Sequence, residues 1–430
     1  MAACAGLDWG TAKIAAAVWN EFEQAHRVVR VNGAPFTDSA VGVRKPRNRG
    51  EHTAAVYPLT TGWPADGPDL RFDELKQKSS ILEPELLRYL MAPVFKFWFQ
   101  ELSSGAVNLS VATPALITVD RAGVLRDCAQ GAGFQFCATV SEVLAAVLAY
   151  LPVWQKDDLK WRRLEAGRCV WVADCGAKHL YLALVHVKRS PGAPDHFDFR
   201  YLGADCVEYA GSLHPEAHRP VADLVQEACR SIMRAARVAS EGHKELAKAV
   251  DAAEWMIGSG GGPNLAPATK ALGEQLTRVG MMPRLCQEIP PPETVAAGAA
   301  VHAAMQAGIL PYQVRREDRP LILGVRTASG PTSFLPLSQH PQEPGSTVHR
   351  AFQLPGDIDA EVEVTVGAAL PGGDHFGVLQ TFLLRPERFQ GVESPRLLVE
   401  SRMENWKKSI VTIRGVWNGE SLYSSSLPLP

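Results

Sequence analysis

The stretch Ala5-Gly-Leu-Asp-Trp-Gly-Thr-Ala-Lys-Ile-Ala-Ala-Ala-Val-Trp19 decides the fold of this chain. It contains two apolar segments separated by a tight turn from Asp8 to Thr11. Gly10 lets backbone amides approach an anion closely, and Thr11 adds a hydroxyl. Asp8 supplies a carboxylate that can hold a phosphate-bound metal ion, directly or through water. By itself, the stretch is equally consistent with an ordinary β-hairpin that needs glycine in its turn.

Length and composition narrow the class of protein. The chain has 430 residues, of which 46% are hydrophobic and 21% are charged, and its net charge is -2. These values indicate a globular protein of two or three domains whose overall charge favours neither nucleic acid nor an anionic membrane. The most apolar helical stretch, residues 82–102, carries five charged side chains, so we expect no membrane span. No C-x-x-C pair occurs among the eight cysteines, and the N-terminus lacks a basic leader, so we expect a reducing, cytoplasmic location.

The opening pattern occurs a second time. Residues 169–176, CVWVADCG, form an apolar segment that ends in Asp174-x-Gly176, and another apolar segment follows at 180–187. The two aspartates are 166 residues apart. This spacing predicts a duplicated domain with a cleft between the copies.

Two further motifs follow the second copy. Residues 255–262, WMIGSGGG, predict a strand that enters a glycine-rich turn, with a helix behind it over 267–279. Backbone amides in such a turn can hold phosphate or ribose closely. Residues 292–304 predict a helix dense in small side chains, which suits either a close contact in a functional cleft or a tightly packed core.

The apolar periodicity of the sequence changes at Arg319. Short runs of alternating apolar residues, separated by Pro and Gly turns, predict an all-β sandwich of about 110 residues. The polar segment before it, residues 313–319, has the composition of a linker. We therefore divide the chain into residues 1–312, a charged linker at 313–319, and residues 320–430.

Taken in order, these motifs resemble those of the DnaK-type heat-shock chaperone family, within the actin-like ATPase superfamily. The resemblance covers nearly the whole chain, from AGLDWGTAKIAAAVW through MIGSGGGPNLAP and PPETVAAGAAVHAAM to RPLILGVRTASG. It implies an α/β protein with a two-lobed actin-like ATPase fold, built from duplicated ribonuclease H-like lobes with reduced outer subdomains, followed by a β-sandwich. It also implies ATP or ADP with Mg²⁺ in the cleft, and an extended peptide held by the sandwich.

The resemblance assigns roles to individual residues. Asp8 and Asp174 would hold Mg²⁺ and organise water, although both also suit hydrogen bonds at strand ends. Asp174, Glu142 and either Lys76 or Lys78 would be catalytic, and the two lysines are equally suited to an exposed helix. The residues that would contact nucleotide are Asp8, Gly10, Thr11, Ala12, Lys13, Gly176, Ala177, Lys178, Gly260, Gly261 and Gly262.

The chain also departs from the family pattern. Ala177, Lys178 and His179 stand where the family has Gly-Gly-Thr, so the hydroxyl near the terminal phosphate is missing. Lys178 is placed either to pair with phosphate or to point outward. Leu265 replaces the arginine that stacks on adenine, and the charged linker replaces an aliphatic one, so we expect it not to dock on the ATPase-like part in the family's way. No helical lid follows the sandwich, so we expect fast exchange of any bound peptide.

These features support two main functional hypotheses. The first is a chaperone-like protein that binds ATP or ADP weakly, hydrolyses it slowly, and binds a peptide or protein through the sandwich. The second is a pseudo-ATPase scaffold in which the cleft between the two lobes no longer binds nucleotide. A sugar kinase of the same superfamily fits less well because of the C-terminal sandwich. The exposed edge strands expected of the sandwich also suit association between copies of the chain.

Overall fold

The computed structural model shows a mixed α/β protein, which confirms the predicted class. It describes residues 3–10, 13–44, 55–58, 70–72, 84–102, 107–114, 117, 119–176, 179–208, 220–327, 334–338, 341–354, 358, 360–372, 376–392, 395–405 and 407–429. No helix within these ranges is both long and apolar enough to cross a membrane.

The N-terminal part is built around a six-stranded sheet of order β3-β2-β1-β8-β9, with β4 pairing with β2. Strand β1 pairs antiparallel with β2 and parallel with β8, so it lies at the centre of the sheet. Its side chains are buried on both faces, as the continuous apolar run in the sequence predicts. Three other strands, β5, β6 and β7, form a small separate sheet. The strands and helices of this part are β1 (Ala3–Trp9), β2 (Lys13–Asn20), β3 (Ala25–Val28), β4 (Phe36–Asp38), β5 (Val41–Arg44), β6 (Ala55–Pro58), β7 (Leu70–Phe72), α1 (Pro84–Leu102), β8 (Val107–Thr113), α2 (Val119–Ala132) and β9 (Phe136–Ser141).

Helix α1 covers one face of this sheet together with α2. Its buried residues recur at the helical spacing of three and four, as in Leu87, Leu90, Met91 and Val94. They pack with apolar side chains of β1, β8 and α2 in one buried cluster. The helical stretch expected at residues 82–102 is therefore confirmed as a helix over Pro84–Leu102.

The second part repeats the arrangement in a sheet of order β14-β13-β10-β11-β12-β15. Strand β10 pairs antiparallel with β11 and parallel with β13, as β1 pairs with β2 and β8. The repeated pairing is the structural counterpart of the repeated Asp-x-Gly sequence. The elements of this part are α3 (Glu142–Gln155), α4 (Asp158–Arg163), β10 (Arg168–Cys175), β11 (His179–Ser190), β12 (Ala193–Glu208), α5 (Val221–Ser240), α6 (Lys244–Asp251), β13 (Trp255–Ser259), α7 (Leu265–Arg278), β14 (Arg284–Cys286), α8 (Pro291–Gln306) and β15 (Gln313–Asp318).

Helices α3 and α8 connect the two sheets by crossing over. Helix α3 follows the first sheet and packs mainly against α8, with further contacts to β10 and β13 of the second sheet and to β8 and β9 of the first. Helix α8 follows the second sheet and packs mainly on β1, β2 and β8 of the first. A Cβ atom at Gly298 of α8 would lie 1.6 Å from the Ala145 carbonyl oxygen of α3, and one at Gly6 would lie 2.2 Å from the Ala300 nitrogen. Only glycine fits these contacts. The small residues of α8 therefore form a tightly packed core helix.

The C-terminal part contains two four-stranded antiparallel sheets, of order β17-β16-β19-β20 and β18-β21-β22-β23. Strands β19 and β22 are central, and their valine and isoleucine side chains join one apolar cluster with residues of the second part. The Ala204 amide of β12 also donates a hydrogen bond to the Pro371 carbonyl at 2.9 Å. The elements are β16 (Ile322–Thr327), β17 (Leu335–Pro336), β18 (Thr347–Gln353), β19 (Val362–Ala369), β20 (Gly377–Leu384), a 3₁₀ turn (Pro386–Phe389), β21 (Arg396–Asn405), β22 (Lys408–Gly415) and β23 (Ser421–Pro428).

The segment predicted as a charged linker is not an undocked connector. Residues Gln313–Asp318 form strand β15, which pairs in parallel with β12 at the edge of the second sheet. The expectation from the sequence was that this segment would not dock through apolar side-chain contacts in the family's way. Backbone hydrogen bonds dock this strand instead, and they do not depend on side-chain polarity.

Candidate functional site

Asp8 lies near the carboxyl end of β1, where the hairpin to β2 begins. Its neighbours across the sheet are Ala15 on β2 and Ala112 on β8, and the residue is half-buried. The carboxyl ends of the parallel strands β1 and β8 meet at this edge, which is where α/β sheets bind ligands. Sheet geometry therefore brings the first predicted metal-binding carboxylate to a position suited to a ligand.

The turn after Asp8 is closed by its own backbone. A Cβ atom at Gly10 would lie 2.4 Å from the Lys13 carbonyl oxygen, so the hairpin itself requires glycine there. The Lys13 ammonium lies 5.5 Å from the centre of the Phe36 ring, a cation–π contact on the outer part of the sheet. Thr11 and Ala12 lie outside the described residues.

Asp174 occupies the equivalent position in the second sheet. It is half-buried near the end of β10, next to Tyr181 on β11 and Ser259 on β13. The Ser259 hydroxyl donates a hydrogen bond to Asp174 Oδ1 at 2.8 Å. The two aspartates of the sequence repeat thus share one structural setting, on the central strand beside a hairpin partner and a parallel neighbour.

The turn after Asp174 is also tight. The Gly176 amide donates to the His179 carbonyl at 2.9 Å, which closes the hairpin between β10 and β11. Ala177 and Lys178, between these two residues, lie outside the part of the chain that the structure describes. The placement of His179 at the start of β11 means that an imidazole stands where the resemblance implies a threonine hydroxyl.

The glycine-rich turn after β13 packs against this second hairpin. Gly260 has φ of +86°, and a Cβ atom there would lie 2.3 Å from the Cys175 carbonyl oxygen. The Gly262 amide donates to the same carbonyl at 2.9 Å, and a Cβ atom at Gly262 would lie 2.4 Å from the Gly176 oxygen. Gly261 is exposed, and a Cβ atom there would meet only Pro292, 4.0 Å away. Glycine is therefore needed at positions 260 and 262 because the backbones of the two turns lie so close together.

Glu142 is the first residue of α3. The preceding residue, Ser141, caps the helix by accepting a hydrogen bond from the Leu144 amide at 3.1 Å. A carboxylate in the first turn is favoured by the helix dipole, and Glu142 is only half-buried. The Ser141 hydroxyl is also hydrogen-bonded to the buried Tyr201 hydroxyl on β12. This hydrogen-bonded pair links the start of α3 to the second sheet.

Two tyrosines beside Glu142 were not identified from the sequence. Burial raises the pKa of Tyr181 and of Tyr201, and the positive charge of Arg319 offsets part of this increase in both phenols. Arg319 pairs with Glu317 at 2.7 Å and lies 6.0 Å from the centre of the Tyr201 ring. Tyr181 and Tyr201 lie on two different strands and Arg319 follows a third, so no local sequence motif marks the group. The only signal in the sequence was the position of Arg319 at the end of the charged segment.

The remaining predicted residues fall elsewhere. Lys76 and Lys78 lie outside the described residues. Leu265 begins α7 and packs against the buried cluster beneath α5, α6 and α7. Within the described ranges, no group of three or more His, Cys, Asp or Glu side chains is placed to hold a metal. Mg²⁺ commonly binds through one or two carboxylates together with substrate phosphates, so single carboxylates such as Asp8 and Asp174 fit it without such a cluster.

Comparisons with known proteins do not assign a family. No protein-family model matches the chain, and no curated protein matches it either. The function is therefore argued from the geometry described above.

Proposed function

We propose that this chain has a two-lobed actin-like ATPase fold followed by a β-sandwich, and that it binds ADP or ATP with Mg²⁺ between the lobes. One observation carries the proposal. Asp8 and Asp174 occupy equivalent positions in two sheets that share the same pattern of strand pairing, each beside a tight glycine turn. Helices α3 and α8 cross between these sheets, which supports treating them as two lobes around one cleft.

The proposed roles follow from the chemistry of each group. Mg²⁺ would neutralise charge on the bound phosphates. The carboxylates of Asp8 and Asp174 would hold that ion through its water ligands. Glu142, at the start of α3, would orient the attacking water as a hydrogen-bond acceptor. The exposed backbone at Gly261 offers an amide close to the nucleotide sugar or phosphate.

Hydrolysis is proposed to be slow. His179 supplies no hydroxyl at the end of the second hairpin, and Leu265 packs into the lobe instead of offering a planar cation to adenine. The ammonium of Lys13 lies against Phe36. Loss of a single preorganised polar contact in such sites costs about 10²–10³ in rate.

A pseudo-ATPase scaffold is the second candidate, and one observation favours it. Asp174, Gly260 and Gly262 all have structural partners within the second lobe, namely Ser259 and the backbone of Cys175 and Gly176. Packing alone is therefore enough to account for three of the residues that the resemblance assigns to nucleotide.

The partner-binding part is proposed to be the C-terminal pair of sheets. Strands β18 and β23 are the edges of one sheet and are exposed along most of their length. Such edges present unpaired backbone groups to an extended peptide, which gives the protein its chaperone-like character. A second copy of the chain is an alternative occupant. The eight cysteines are all free, which supports a reducing, cytoplasmic setting.

Calorimetric titration of the full chain with ADP and with ATP, each with and without Mg²⁺, tests the proposal. We expect saturable binding that needs Mg²⁺ and is weakened by Asp8→Asn and by Asp174→Asn. Asp251→Asn, at the exposed end of α6, is the matched control and should leave affinity unchanged. No binding by the unmodified protein would favour the scaffold, and phosphate release at rates typical of an efficient ATPase would contradict slow turnover.

A further inference from the structure

The end of the long β11–β12 hairpin forms a cavity of about 400 Å³ that the proposed function does not use. On β11, Val185 and Val187 face the core beneath α3, so the alternating residues His186, Lys188 and Ser190 face the other way. The cavity opens on that second face. Its lining residues are Lys188, Ser190, Pro191, Gly192, Ala193, His196, Asp198 and Arg315.

Charge in this cavity is unbalanced toward positive. Arg315 of β15 donates Nε–H to Asp198 Oδ1 at 2.8 Å and a second N–H to Oδ2, so one carboxylate is occupied by one guanidinium. Lys188, which lies directly opposite Asp198 in the sheet, is exposed. Among the described residues, neither Lys188 nor His196 forms an ion pair. The net charge of the lining groups is therefore positive at neutral pH.

One of the two cations, Arg315, is held in a fixed orientation. The bidentate contact with Asp198 orients the guanidinium plane of Arg315, which is 59% exposed, and leaves its other N–H donors available. Burial lowers the pKa of the neighbouring His186 to about 4, and the positive charges of Lys188 and Arg200 lower it further. An oriented arginine beside a lysine suits an anion with several oxygen atoms.

We propose that this cavity binds a phosphate monoester through Lys188 and Arg315. The tetrahedral oxygens of a phosphate can meet Lys188, the remaining N–H donors of Arg315 and the Ser190 hydroxyl at once, whereas a carboxylate offers only two coplanar oxygens. The surface around the cations is formed by Pro191 and Ala193 at the hairpin turn, which leaves room for a small esterified group.

The site is remote from the proposed nucleotide cleft. Strand β11 runs from His179, beside the second Asp-x-Gly turn, to Ser190 at the cavity. At about 3.3 Å per residue, the two ends are roughly 35 Å apart. The proposal therefore does not depend on the proposed function, and its failure would be distinguishable from a failure of nucleotide binding.

The test is calorimetric titration of the full chain with inorganic phosphate and with phenyl phosphate at constant ionic strength. We expect saturable binding of both, weakened roughly tenfold or more by Lys188→Met and by Arg315→Gln, because each change removes a charge-assisted hydrogen bond. The matched control is Lys270→Met, which removes an exposed lysine on α7 and should leave affinity within about twofold.

Three outcomes would overturn the proposal. They are the absence of saturable phosphate binding, equal affinity of the Lys188→Met variant and the unmodified chain, and phosphate binding abolished by Asp8→Asn plus Asp174→Asn instead. Acetate is the chemical control, and binding of acetate as tightly as phosphate would assign the cavity to carboxylates. Lys188→Met changes an exposed side chain, so the test stands even if the Arg315 variant fails to fold.

Discussion

The Ser259 hydroxyl donates a hydrogen bond to Asp174 at 2.8 Å, which joins the strand before the glycine-rich turn to the second Asp-x-Gly segment. Ser259 is completely buried, whereas Asp174 is half-buried, so this bond lies at the boundary between the core and the cleft edge of the sheet. It orients one oxygen of the carboxylate to which we assign a role in holding Mg²⁺. The same contact is both part of the fold and part of the candidate site.

Ser259→Ala is predicted to lower the free energy of unfolding by about 1–2 kcal/mol, because it leaves Asp174 without this buried donor. Urea denaturation followed by circular dichroism measures the change. Ser426→Ala, at an exposed position on β23, is the matched control and should change stability by less than about 0.5 kcal/mol. Equal stability of the two variants would show that the hydrogen bond contributes nothing.

Gly298→Ala is predicted to destabilise the protein by more than about 3 kcal/mol, or to prevent folding. The added Cβ atom would lie 1.6 Å from the Ala145 carbonyl oxygen, so α3 and α8 would have to separate. Gly273→Ala, within α7, is the control, since its Cβ atom would meet only Pro283 at 3.9 Å. That variant should be neutral or more stable by about 0.5–1 kcal/mol. A Gly298→Ala protein with the stability of the control would contradict the crossing of the helices.

Stability is predicted to fall as the pH decreases from 6.5 toward 4, in part because of His302. Burial lowers the pKa of this residue from 6.5 to about 4. Its neutral ring is hydrogen-bonded to the Ser110 hydroxyl at 2.9 Å. In that window the unfolded chain binds a proton that the native protein does not, so the contribution is fully present above pH 6.5 and is lost on acidification.

His302→Gln should remove roughly 3 kcal/mol of this pH dependence, as measured by urea denaturation across the window. His186, whose pKa is also lowered to about 4, should account for a similar part. A profile that is the same in the His302 variant and the unmodified chain would contradict the assignment.

Trypsin is predicted to cut slowly after Arg315, because the residues on either side of it, Val314 and Arg316, are paired with β12. Proteolysis requires a locally unfolded segment, and a strand in the sheet opens rarely. Mass spectrometry of the first fragments measures this. If the first cleavage occurred at this site, the segment would be the free linker that its composition suggests.

The sequence predicted the parts of this structure whose signals are local. The hairpins that carry Asp8 and Asp174, the amphipathic helix α1 and the close packing of α8 follow from apolar periodicity, turn glycines and small residues. Strand β15 was missed because its stabilisation comes from pairing with β12, more than 100 residues earlier in the chain. For the same reason, the grouping of Tyr181, Tyr201 and Arg319 was not visible, since the tyrosines lie on two different strands and Arg319 follows a third.

The equivalent settings of Asp8 and Asp174 were predictable from the sequence, but the existing partners of the candidate residues were not. The spacing of the Asp-x-Gly copies indicates two equivalent carboxylates, and the strand pairing around each is indeed the same. Nothing in the sequence shows that Gly260 and Gly262 approach the Cys175 and Gly176 backbone so closely. That information depends on how two distant turns meet in space.

The most direct test of the central claim is a double-mutant cycle of Mg²⁺-dependent ADP affinity with Asp8→Asn and Asp174→Asn. If both carboxylates act on one bound ion between the lobes, each single change should weaken binding, and the double change should cost clearly less than the sum of the two. Additive effects would mean that the two residues act at separate places. Unchanged affinity in all three variants would contradict the account that these aspartates form one nucleotide site.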